Sequence, residues 1–151
     1  MKPKKITEES FKIIGMDCLS SKKENKDETD ISELWEEFRP RINEVNNKVK
    51  PDNLLGIYIQ NKIYPDRFTY VAGVEVENIK SIPRGMIPKI ISSSQYAVFI
   101  HEGTRDNISQ TYNHIFNTWE KNSDYEINRK AERIENIISE NEIEILIPVS
   151  K

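Results

Sequence analysis

Residues 96–119 read YAVFIHEGTRDNISQTYNHIFNTW, and two structural periods meet inside that stretch. The run at 95–100 has the length and the β-branched, aromatic composition of a strand. HEGTRDN follows as a connection, after which Ile108, Tyr112, Ile115, Phe116 and Trp119 recur at the spacing of one helical face. Further along the chain, two more strands are predicted, around 125–135 and 143–149.

The first half has the same order. FKIIGM at 11–16 is a strand candidate, and the polar segment SSKKENKDETD after it mixes both charge signs as a solvated connection does. Asp30 is placed to cap a helix, with Glu33 three residues on as in a capping box, and Ile31, Leu34, Trp35, Phe38 and Ile42 form its apolar stripe. Pro40 removes a backbone donor, so the helix either ends near Arg39 or bends before Val45 and Val49 continue the face. Strand candidates at 54–59 and 68–76 flank the turn-rich NKIYPD, and alternation along the second puts Phe68, Tyr70, Ala72, Val74 and Val76 on one side. Strand, helix, strand, strand thus occurs twice, each helix carrying one tryptophan, Trp35 or Trp119. The expected fold class is α+β: an antiparallel sheet from two pseudo-twofold-related β-α-β-β units, both helices on one face, and a cleft at the seam where ligand sites favour aromatic linings.

The bulk properties narrow the function. A chain of 151 residues with 36% apolar and 31% charged side chains is expected to fold as a single domain over 1–151. It has no apolar stretch of membrane-spanning length and no signal-peptide core, so it reads as cytoplasmic, with no membrane partner. A net charge of −3 with scattered lysines and arginines lacks the footprint of direct DNA binding. The lone cysteine, Cys18, reads as a small buried hydrophobe, and His101 and His114 have no cysteine cluster with which to hold zinc. No cofactor, metal or catalytic residue is assigned.

FKIIGM, ISELWEEF, FTYVAGVEVEN, IPRGMIPKII, YAVFIHEG with IFNTW, DYEINRKAERIEN and EIEILIPV follow one another in an order that resembles the gyrase-inhibitor-like family, the effector-binding domain of bacterial transcription activators. The likeness runs from about Lys5 to Val149. It implies a groove between the two units that accepts aromatic, hydrophobic and often cationic compounds. With no helix-turn-helix segment ahead of the first helix, it also implies a stand-alone member. The family's glutamate on the strand after the second helix falls on Glu135, with Ile134 in place of the preceding aromatic residue and ENIISEN in place of the tyrosine region. Glu135 is therefore the candidate counter-ion for a small aromatic or cationic ligand. The alternative is a surface glutamate partnered by Glu132 and Arg133 in RKAERIEN. Phe68, Tyr70 and Tyr96 are the candidate walls, Trp35 and Trp119 are core residues that could also floor the groove, and Tyr58 and Tyr112 stand behind them. Two other functions stay open: hydrolysis of electrophilic small molecules on the same fold, and a protein-interaction role such as gyrase inhibition, whose partner the sequence does not name.

Overall fold

The computed structural model describes residues 1–50 and 53–151. The first unit comprises β1 (Lys5–Ser21), α1 (Lys26–Phe38), β2 (Leu54–Gln60) and β3 (Arg67–Glu75). The second comprises β4 (Ile87–Glu102), α2 (Ile108–His114), the short β5 (Glu126–Ile127), β6 (Arg133–Ser139) and β7 (Glu142–Ser150). Within the first unit β3 lies between β1 and β2, and within the second β7 lies between β4 and β6. Antiparallel ladders β2–β6 and β1–β4 join the units, which gives the pseudo-twofold arrangement expected.

Because β7 also pairs back onto β4, from Tyr96↔Pro148 to Glu102↔Glu142, the sheet closes on itself. Closure removes free edges over the paired segments. Long β1 makes it possible: its N-terminal half pairs β4, its C-terminal half pairs β3, and a register shift between Glu9 and Phe11 lets the strand bend. Alternate residues then face a barrel interior packed with Ile13, Leu55, Ile57, Val71, Ile91, Val98, Ile134 and Leu146. The opposite residues face outward under the helices. Ile31, Leu34, Trp35 and Phe38 of α1 cover Ile14, Met16, Phe68, Tyr70, Ala72 and Val74. Ile115 and Trp119, past α2, cover Ala97, Phe99, Ile143, Ile145 and Ile147.

Several local expectations shift. Helix α1 starts at Lys26 rather than at a cap on Asp30; Asn25 precedes it in the left-handed region (φ 58°). Asp30 instead accepts hydrogen bonds from Ser20 Oγ (2.7 Å) and Lys26 Nζ (2.5 Å), tying the helix to the end of β1. Past Phe38 the chain tightens into a 3₁₀ segment, Arg39–Glu44, with Pro40 in its first turn, so the proline changes the helix type without ending the coil. The strand expected around 125–135 is broken, because Asn128 turns the chain: its side-chain oxygen takes the Lys130 N–H (3.1 Å) and its carbonyl the Ala131 N–H (3.3 Å). The strand that carries Glu135 begins at Arg133 and runs on through ENIIS to Ser139.

Candidate functional site

On the outer face the ladders align side chains across neighbouring strands. One line runs from Tyr70 on β3 through Tyr58 on β2 to Arg133 on β6. The next runs through Ala72, Gly56, Glu135 and Ile145. The Tyr58 ring meets Tyr70 edge-on at 4.9 Å and Phe68 at 5.6 Å. Gly56 leaves a notch between Ala72 and Glu135: a Cβ there would lie 2.2 Å from the Tyr70 hydroxyl, so only glycine lets that phenol tip rest on β2. From above, Trp35 of α1 donates its indole N–H to the Tyr70 hydroxyl oxygen at 2.9 Å.

Glu135 lies at the bottom of this aromatic ground with 0% of its surface exposed. Its Oε2 accepts the Tyr112 hydroxyl at 2.5 Å, and its Oε1 accepts Arg105 Nη2 at 2.6 Å. The Arg133 guanidinium sits 4.0 Å from the Tyr58 ring centre and 4.6 Å from that of Tyr112, and Tyr112 in turn stacks on Phe116 at 6.0 Å. Arg105 reaches the site from the connection ahead of α2. There Gly103 adopts φ +116° and donates its N–H to the Asn141 carbonyl (2.7 Å), while the Thr104 carbonyl meets His101 Nε2 at 2.8 Å. The backbone just ahead of Arg105 is thereby pinned, and the long side chain extends from it.

Burial first, and the Glu135 carboxylate second, push the Tyr58 and Tyr112 phenols above their ordinary range; burial and then Tyr58 do the same to Tyr70. All three rings therefore remain neutral at physiological pH. Burial opposes the charge on both arginines. Burial is the largest single influence on each, but Glu135, Tyr70 and Tyr58 together outweigh it at Arg105, and Tyr112, Tyr58 and Glu135 together at Arg133, so both guanidinium groups stay charged. The arrangement is a desolvated carboxylate, hydrogen-bonded on both oxygens, among π faces that already hold a cation.

The structure brings Glu135, Tyr70, Phe68 and Trp35 into one cluster with Tyr58 and Tyr112. It does not bring Tyr96 or Trp119 there. Tyr96 points into the barrel interior against Phe11 (6.5 Å), where burial pushes its phenol up to about 12. Trp119 stands edge-on to Phe99 at 5.0 Å under the second helix. Glu135 is not a surface glutamate of its own segment: Glu132 pairs with Lys89 (3.3 Å), and the ion-pair partner of Glu135 is thirty positions back, Arg105. Arg105 and Gly56 were not among the residues read from the sequence, and Arg133 was read only as a surface partner. Strand alternation would have placed Arg133 and Glu135 on one face, whereas the reach of Arg105 depends on a loop conformation that no local pattern encodes.

The family described as Cass2, integron-associated effector binding protein, matches residues 6–149. The chain belongs to this family. The transcriptional regulator BrlR of Pseudomonas aeruginosa is 34% identical over 107 residues, 71% of this chain. The chain spans 37% of the length of that regulator. Among solved structures, an integron cassette protein from the mobile metagenome of Vibrio cholerae superposes with a TM-score of 0.67 at 19% identity, over 97% of this chain and 95% of the other. SAV2435, solved bound to tetraphenylphosphonium, gives 0.77 at 16% identity over 97% and 93%. EcmrR in its complex with DNA gives 0.71 at 13% over 97% and 57%. These structures share the fold of this Cass2 member. Among its described residues no helix is long and apolar enough to cross a membrane.

Proposed function

We propose that this Cass2-family chain binds a small aromatic, lipophilic cation in the seam beside α1 and α2, with Glu135 as counter-ion and Tyr58, Tyr70, Tyr112, Phe68 and Trp35 as walls. The observation that carries this reading is the position of Glu135, fully buried and ringed by phenols. A buried ion pair is a poor device for stability, since desolvation offsets most of the attraction and an apolar pair of similar volume holds a core as well or better. A carboxylate kept in such a place is better accounted for by a charge that it has to meet. The tetraphenylphosphonium held by SAV2435, which shares this fold, indicates a suitable probe.

The test is titration of the wild-type protein and Glu135→Gln with tetraphenylphosphonium and with neutral triphenylphosphine oxide, read by tryptophan fluorescence. Losing one partner of a desolvated charge pair costs about 2–5 kcal/mol, so the cation should bind the variant at least about 30-fold more weakly. The neutral compound, with no charge for Glu135 to meet, should lose no affinity in the variant. Equal small losses for both would place the ligand elsewhere.

A further inference from the structure

Two cations of the chain itself already fill the site, and they are not equivalent. Arg133 grows from the same strand as Glu135, and its guanidinium is held between the Tyr58 and Tyr112 rings. Arg105 comes from outside. Its side chain is 39% exposed while the carboxylate that it reaches is 0% exposed, so Arg105 is the member of the pair with a route to water. The bonds from Gly103 to Asn141 and from Thr104 to His101 hold the backbone just ahead of Arg105, so its withdrawal calls for a change of side-chain rotamer and not of the loop.

We infer that Arg105 is an internal stand-in for the effector: it occupies Glu135 in the free protein, and effector binding exchanges the guanidinium for the ligand's own positive charge. This rests on the binding reading above and adds how the site selects its occupant. With Arg105 in place the seam holds one carboxylate against two guanidinium groups. A monocation entering beside them would add a further positive charge to a desolvated space, so Arg105 has to go. A neutral aromatic molecule can displace Arg105 only by leaving the buried carboxylate without its ion pair, a loss that it has nothing to offset. Arg105 therefore rejects neutral compounds and lowers the apparent affinity for cations by the fraction of time for which it caps the site.

Tetraphenylphosphonium titration of wild type, Arg105→Gln, Arg105→Lys and Glu135→Gln tests this. Arg105→Gln should bind the cation at least about tenfold more tightly than wild type, because a site capped nine-tenths of the time or more is then open. Arg105→Lys, which keeps a competing charge, should lie between the two. Arginine side-chain ¹⁵N NMR on the wild-type protein provides a second measurement that needs no variant. The restrained Arg105 guanidinium should become freely rotating at saturation with the cation, while Arg133 stays restrained. Unchanged or weaker binding by Arg105→Gln, or an Arg105 signal unmoved at saturation, overturns the exchange. If at the same time wild type binds and Glu135→Gln loses the cation, the binding reading survives alone. If neither wild type nor Arg105→Gln binds, both readings fall.

Discussion

Gly56 faces Glu135 across the β2–β6 ladder, and the space that its missing side chain leaves is taken by the Tyr70 hydroxyl. The tip of Tyr70 is held there by the Trp35 N–H and has nowhere to retreat, since Tyr70 is 0% exposed. Gly56→Ala should therefore behave as an overpacking substitution, lowering stability by about 1–3 kcal/mol in a urea melt. Adding Tyr70→Phe should restore part of the loss, because the 2.2 Å clash with the hydroxyl disappears while a 2.9 Å approach to the ring carbon remains. Full additivity of the two changes would mean that they do not meet. The sequence made Tyr70 visible through its place in an alternating strand, but gave no sign that Gly56 matters, because that depends on which strand pairs with which and in what register.

Between elements, the Ser20–Asp30 hydrogen bond ties α1 to the end of β1, with Lys26 on the helix completing the cluster. The helical stripe Ile31, Leu34, Trp35 and Phe38 was legible from its period, and those residues are the buried ones. The start of the helix was not, because Asp30 has the chemistry of a cap and its use as an acceptor for a serine ten residues earlier is a tertiary fact. Ser20 is 3% exposed, so Ser20→Ala removes a part-buried hydrogen bond, and about 0.5–1.5 kcal/mol of stability should be lost at pH 7. The hydrogen bonds from Lys26 and Ser20 hold the Asp30 carboxyl below its usual range. A depressed carboxyl contributes stability above its unfolded pKa and loses it as pH falls through the folded one. The difference between wild type and Ser20→Ala should accordingly shrink in acid, by a modest amount for so accessible a carboxylate. A gap independent of pH between 7 and 2 would show that the serine acts through packing alone.

For the molecule as a whole, the twofold repeat of strand, helix, strand, strand was readable in the sequence, while closure of the sheet was not: alternation says which residues share a face but not whether that face curls into an interior. Closure separates Tyr96, which points inward, from Tyr58, Tyr70 and Tyr112, which lie outside under the helices. All four phenols are nevertheless raised, each by burial first, against an ordinary value of 10.0. This fixes the alkaline limit of the fold. Above about pH 10 the unfolded chain releases phenolic protons that the folded chain retains, so stability that is fully present below pH 10 drains away as pH rises. Each phenol still neutral in the fold contributes a slope of about 1.4 kcal/mol per pH unit there. Urea melts from pH 8 to pH 11 should thus show stability level and then falling steeply past 10. Tyr70→Phe should be less stable than wild type at pH 8, having lost the acceptor for Trp35, yet show a shallower fall by about one proton's worth. That crossing of offset and slope separates ionisation from packing, since a purely structural role for Tyr70 would shift the whole curve and leave its alkaline slope as it is in wild type.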